Sequence, residues 1–222
     1  MVPVVLTPRW ALIRALSKLF LVAAINMAVA PTIVAEDARQ DVGEETARLD
    51  ADDARQFGES PTRIDFEADP SGKELMVGED IGRRFVDRGV LLSSSVDGAI
   101  VSVETYNVGG RSGGRCAATH DPLYQGTLTL RFCTPGDAEK PAGVHAVGFW
   151  ISHIAPDGAS LLAFDKDGKE LGVVKTNRHQ RQFLGIHSRL PIARVDVVPD
   201  PEIDPDYAID DLTFDRPTAI SR

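Results

Sequence analysis

The sequence is poor in several of the things that announce a function. Aromatic residues make up only 6% of it, cysteine occurs twice, and no basic stripe runs through it. Few aromatics mean few exposed stacking platforms. A formal net charge of -9 repels phosphate backbones and anionic lipid, which argues against a nucleic-acid partner. The five histidines never fall in HExxH or another ligand spacing, and no CxxC accompanies the two cysteines, so no zinc site is legible. Only one long apolar run is present, Leu19 to Ala30, so no membrane span is expected once that run is removed.

That run reads as the core of an export signal. Arg9, Arg14 and Lys18 precede it, small residues follow, and cleavage after Ala35 places Glu36 first. Loss of residues 1–35 removes three positive charges and no acids, which takes the net charge from -9 to -12. The expected location is secreted or periplasmic. In such an oxidising compartment Cys116 and Cys133 are expected to form a disulfide.

Residues 36–60 are acidic and hold few large apolar side chains; Glu-Asp-Ala-Arg-Gln at 36–40 is echoed by Asp-Asp-Ala-Arg-Gln at 52–56. Such a segment buries too little to offset its ordering entropy, so a disordered linker or a short helix is expected. From residue 61 the pattern changes. Short runs rich in Val, Ile, Leu and Phe alternate with Gly, Pro and Asp turn signals, as in Asp167-Gly168 between Leu161–Phe164 and Leu171–Val174. The runs predict strands near 63–67, 84–86, 90–94, 99–104, 127–133, 143–153, 160–165, 170–175, 181–186, 192–198 and 207–215. Many short strands without helical periodicity mean an antiparallel two-sheet sandwich, a jelly roll, over residues 61–217, with a tail at 218–222. Period-two alternation puts Val147, Phe149 and Ile151 on the core face and Val144, Ala146, Gly148 and Trp150 on the other. It likewise groups Asp210 with Leu212 and Phe214, and Asp211 with Ile209 and Thr213.

The order of Ile64-Asp65-Phe66-Glu67, residues 89–94, Ala146–Ile151, Leu161–Gly172, Phe183–Ile186 and Tyr207–Phe214 resembles the galactose-binding-like jelly-roll domains of secreted bacterial proteins. The opening and closing motifs are also similar to those of MAM-type extracellular adhesion domains. The resemblance implies first and last strands lying side by side. It also implies carbohydrate binding or adhesion, with a glycan or an extracellular protein as partner, and often a structural calcium ion.

The residues offer two candidate sites. Asp65 and Glu67 share one strand face, and Asp210 with Asp211 lies on the closing strand. Pairing of those strands would bring carboxylates together for Ca2+, with main-chain carbonyls, for instance from the loop Gly78 to Gly82, supplying further oxygens. For a ligand surface the candidates are Trp150, Tyr106, Tyr124, Arg178 and His179, with His153 and Gln180 beside them. Buried packing is the commoner role for a strand Trp. No catalytic motif is present: the Gly-rich segment 109–114, with Ser112 inside it and His120 nearby, is neither a nucleophile elbow nor a phosphate loop. The reading is therefore a non-catalytic carbohydrate-binding or adhesion module. The alternatives are a structural or protein-interaction module of the cell envelope or matrix, and a small secreted glycan hydrolase.

Overall fold

The structure is a computed structural model, and it describes residues 46–49, 54–105, 112–120, 126–152, 158–176, 181–199 and 207–221. All of these belong to one unit, Ala38–Arg222. The expected signal at 1–35 lies outside the described residues.

Thirteen strands are described, and every pairing is antiparallel. They are β1 (Thr46–Arg48), β2 (Thr62–Ile64), β3 (Val90–Ser94), β4 (Ile100–Glu104), β5 (Cys116–His120), β6 (Leu128–Thr134) and β7 (Asp137–Ser152). After them come β8 (Ala159–Phe164), β9 (Glu170–Lys175), β10 (Gln182–Ile192), β11 (Arg194–Pro199), β12 (Ala208–Phe214) and β13 (Thr218–Ala219). The first sheet runs β4-β5-β12-β7-β10-β1, with β2 also on β12 and β13 on β7. The second runs β3-β6-β11-β8-β9. The β6–β7 hairpin joins them.

Alternation makes this a sandwich. Val101, Val103, Phe149, Ile151 and Leu212 from the first sheet meet Leu130, Phe132, Val195, Val197 and Leu161 from the second in one buried cluster. Tyr207 crosses between the layers. Its hydroxyl accepts the Leu128 N–H at 2.8 Å and stands 2.9 and 3.0 Å from the carbonyl oxygens of Gly126 and Val197. The expected all-β, antiparallel, two-sheet architecture is what the chain adopts.

Several local expectations change. Residues 84–86 are not a strand; the chain turns there into a 3-10 turn at Val86–Arg88. The described part of the acidic stretch is packed rather than solvated. β1 pairs with β10, and Leu49 and Phe57 are buried with Ala146 beneath Phe183. Each such burial stabilises by about 1.5–3 kcal/mol, enough to offset the ordering of a short segment. Val144 faces the core, against expectation, where the β10–β7 pairing slips from His187 opposite Ala146 to Ile192 opposite Val144. There Asp215 Oδ1 accepts the consecutive N–H groups of His145 and Ala146 at 2.8 and 2.9 Å.

The expected disulfide is absent: Cys116 and Cys133 are both buried free thiols. Cys116 lies on β5 in the first sheet, where it packs with Ala118 and Ala208 while Ala117 enters the core. Cys133 follows core Phe132 on β6 of the second sheet. The two thiols sit on opposite layers of the sandwich, and neither joins the core between them. Among the described residues no helix is long and apolar enough to cross a membrane.

Candidate functional site

The opening and closing motifs do meet. β2 pairs with β12 through Ile64 opposite Leu212 and Arg63 opposite Thr213. The closing strand bulges between Asp210 and Thr213, and Asp211 takes φ +52°, a left-handed conformation that Asp tolerates better than most residues. The extra residue resets the alternation: Ile209, Leu212 and Phe214 are core, and neither aspartate is grouped as a plain strand would group it.

Both aspartates are buried, and both meet Ser112. Its N–H donates to Asp210 Oδ2 at 3.2 Å and its hydroxyl to Asp211 Oδ1 at 2.6 Å. Arg63 Nη2 lies 2.7 Å from the same Asp211 oxygen, and the hydrogen bond with the nearby carboxylate raises the arginine pKa. Glu67 is held by the next residues of the same segment. Its Oε1 accepts the N–H groups of Gly114 and Arg115 at 2.8 and 2.9 Å, and Oε2 lies 3.4 Å from Arg115 Nη1. Gly113 is required here, since it has φ +71° and a Cβ on it would stand 2.1 Å from Glu67 Oε1. Asp65 is exposed and its Oδ1 accepts the Glu67 N–H at 3.1 Å. The loop at Gly78 to Gly82, expected to complete the site, instead runs along β4, with Ile81 N–H donating to Val101 O at 2.9 Å. Segment 112–115 takes its place.

Calcium needs six to eight oxygens. Of the buried carboxylate oxygens in this cluster, Asp211 Oδ2 has no hydrogen-bond partner. Among the described residues no three carboxylate, histidine or cysteine side chains are grouped to hold a metal ion. An ion here would take the rest of its shell from main-chain carbonyls and water.

A second candidate site is open and lies on the outer face of the second sheet. Because Leu130, Phe132, Val195, Val197, Leu161 and Ala163 point inward, Thr129, Arg131, Arg194, Asp196, Leu162 and Phe164 point outward. Register aligns them in rows. Leu91, Arg131, Arg194 and Phe164 are successive cross-strand partners, and so are Ser93, Thr129, Asp196 and Leu162. The Arg194 guanidinium lies 4.2 Å from the centre of the Phe164 ring, a cation–π contact that fixes its plane. Arg194 Nε is 3.3 Å from Asp196 Oδ1, which also accepts the Thr129 hydroxyl at 2.9 Å. Two depressions of about 610 and 540 Å³ flank the rows. One runs toward the 165–168 turn and Ile220, the other toward Val96–Ala99, and Arg131 lines both.

Of the ligand candidates expected above, Trp150 alone is described, and it falls on the other sheet. Trp150 is half-buried on the first sheet, edge-on to Phe183 with ring centres 5.9 Å apart. Phe183 lies so close over Gly148 that a Cβ there would stand 2.4 Å from the ring. Tyr106, Tyr124, Arg178, His179, His153 and Gln180 lie outside the described residues. The outer-face residues of the second sheet were missed. Their signal was the alternation in Thr129–Phe132 and Arg194–Val197, polar between core residues.

No family model matches this sequence, and no curated protein matches it. Among solved structures, the chain is similar to the CBM22-1–GH10 modules of Clostridium thermocellum endo-1,4-beta-D-xylanase 10B complexed with xylohexaose. That match has a TM-score of 0.39 and 10% identity, and covers 72% of this chain and 28% of that one. The enzymatically active domain of bacteriophage CBA120 tailspike protein 4 matches with a TM-score of 0.34 and 16% identity, over 60% of this chain and 20% of that one. A variant of a family 29 carbohydrate-binding module complexed with mannohexaose matches with a TM-score of 0.36 and 15% identity, over 72% of this chain and 92% of that one. The first two matches thus span under a third of the other chain.

Proposed function

We propose that this chain is a non-catalytic carbohydrate-binding module, exported from the cytoplasm, which holds a glycan along the outer face of its second sheet. The observation that carries the reading is the two adjacent outward rows, Arg131 with Arg194 and Thr129 with Asp196, flanked by the two depressions. A glycan is a chain of rings bearing hydroxyls that both donate and accept. The face offers matching groups: guanidinium forks donate, Asp196 accepts, and the hydroxyls of Thr129 and Ser93 do either. Leu91, Leu162 and Phe164 supply apolar surface between them. A rigid sheet presents these groups with little ordering cost on binding. Export is supported by the charged, apolar, then small order of residues 9–35.

The absence of catalysis is part of the proposal. Asp196 is engaged by Thr129 and Arg194, and Glu139, at the rim, faces Arg83 at 3.9 Å. The test is binding to a panel of soluble polysaccharides by affinity electrophoresis, alongside an assay for released reducing sugar. Retardation without sugar release supports the reading. Sugar release would replace it with a hydrolase, and no retardation on any glycan would replace it with a structural or protein-interaction module.

We also propose that calcium binds at the joined terminal strands, with Asp210 and Asp211 as ligands and Asp65 and Glu67 beside them. The partnerless Asp211 Oδ2 supports this, as does a surplus of acids over Arg63 and Arg115 in the cluster.

A further inference from the structure

We infer that the groove on the second sheet selects an anionic glycan, one whose rings carry carboxylates, over a neutral one. The inference rests on the carbohydrate reading above and concerns the same face. Its basis is a local charge arrangement that runs against the rest of the molecule.

The chain carries a net charge of -9, yet two arginines sit side by side at the centre of this face. Arg131 and Arg194 are direct cross-strand partners on β6 and β11. Like charges opposite each other oppose pairing, and a sheet built only for stability has no use for them. Among the described residues Arg131 has no ion pair or hydrogen bond from its guanidinium. Arg194 is engaged from one side only. Asp196 stands 3.3 Å from its Nε without a hydrogen bond, and that buried N–H has no acceptor. Asp196 also divides its Oδ1 with the Thr129 hydroxyl. Two adjacent guanidiniums therefore have one carboxylate between them, paired with Arg194 alone, and the centre of the groove is positive.

The positive excess is confined to the Arg131–Arg194 pair at the centre, because acids line both ends of the cleft. Asp165 Oδ1 is committed to its own turn, accepting the N–H groups of Asp167 and Lys169 at 2.9 Å each. Asp167 pairs with Lys166 at 3.0 Å. On the other side Arg83 lines the second depression together with Asp80 and Asp97, so that end carries no positive excess of its own.

A neutral sugar offers only uncharged hydroxyls and ring oxygens and leaves the central charge uncompensated. A ring carboxylate offers two coplanar oxygens, which match a guanidinium fork bidentately with charge-assisted hydrogen bonds. Phe164 holds the Arg194 plane in place before a ligand arrives, so little is lost in orienting it. A sulfate ester shares the negative charge but spreads it over three oxygens, so each accepts more weakly than a carboxylate oxygen. The geometry therefore favours a uronate polymer.

The test uses the full chain and six probes in three pairs, in affinity electrophoresis and calorimetry. These are polygalacturonate, the same polymer fully methyl-esterified, dextran sulfate with its parent dextran, and neutral mannohexaose and cellohexaose. The expected result is binding to polygalacturonate that weakens at least tenfold on esterification and falls with added salt. Arg131→Gln and Arg194→Gln are each expected to weaken it about tenfold, whereas Arg131→Lys is expected to lose less. Equal binding to the esterified polymer or to the neutral oligosaccharides would overturn the anionic selectivity and leave the glycan reading in place. Tighter binding to dextran sulfate than to polygalacturonate would overturn the carboxylate assignment. No binding to any probe would overturn the glycan reading itself. The esterification comparison uses the unaltered protein, so a variant that folds poorly does not remove the test.

Discussion

Arg63 and Asp211, 148 residues apart, form an ion pair of 2.7 Å between the paired strands β2 and β12. The carboxylate is buried while the arginine is more than half exposed, so solvent screens the Coulomb term. The greater loss on removing the acid is the set of donors left behind, the Ser112 hydroxyl among them. Asp211→Ala is expected to lower stability by about 2 kcal/mol in urea melts. A midpoint unchanged from the parent would show that the strand junction does not depend on this pair.

Gly113 is predicted to be the least replaceable residue of its loop. Alanine there would sit at φ +71° with its Cβ against Glu67 Oε1. A loss of more than about 1 kcal/mol is expected. Gly114→Ala, whose Cβ would meet nothing within 4 Å, is the control and should cost less than half as much. Equal effects would mean that the loop does not clasp Glu67.

Two thiols, not a disulfide, are expected in the folded protein. Burial pushes the Cys133 thiol pKa up, with Asp137 adding to the effect, so its thiolate is scarce at pH 8. Maleimide should label neither residue in native buffer and both in urea. An intact mass lower by two hydrogens that rises on reduction would contradict the placement of the two thiols on opposite layers.

Acid should destabilise the protein in a defined window. The Ser71 hydroxyl and then backbone N–H groups hold the Asp69 carboxyl below its ordinary 3.8. The Met76 N–H, with Arg84 beside it, holds Glu79 below 4.5. Both folded-state values are depressed, so the unfolded chain binds more protons there. Their contribution is present above the unfolded values and is lost as pH falls through the folded ones. Thermal melts between pH 6 and pH 2 should show Tm falling mainly below about pH 4.5, with a smaller fall in Asp69→Asn. An equal fall in the variant would remove Asp69 from the account.

Calcium is expected to raise Tm by several degrees over an EDTA-treated sample, through binding that favours the folded state. Asp211→Asn should abolish that increment. A melting curve insensitive to EDTA would contradict the proposed ion.

The sandwich was legible because its strands alternate and its turns are marked. Asp167-Gly168 marks the β8–β9 hairpin, and Val147, Phe149 and Ile151 face the core as period two requires. The meeting of Ile64 with Leu212 was legible only through the resemblance of the terminal motifs, since no local pattern encodes strand neighbours. Two kinds of information were missing. One is irregularity: the inserted residue near Asp211, and the slip of β10 between His187 and Ile192 opposite Ala146 and Val144, change side-chain facing, and nothing in the composition marks them. The other is lateral register. Arg131 and Arg194 are 63 positions apart in the chain and meet only because β6 and β11 pair as they do. For the same reason Cys116 and Cys133, close in sequence, end on opposite layers.

The most direct test is an amide chemical-shift titration of the 15N-labelled protein with the glycan that retards it most. The account predicts that shifts cluster on Thr129, Arg131, Arg194 and Asp196. Shifts centred on Trp150 and Phe183, on the opposite sheet, would contradict it.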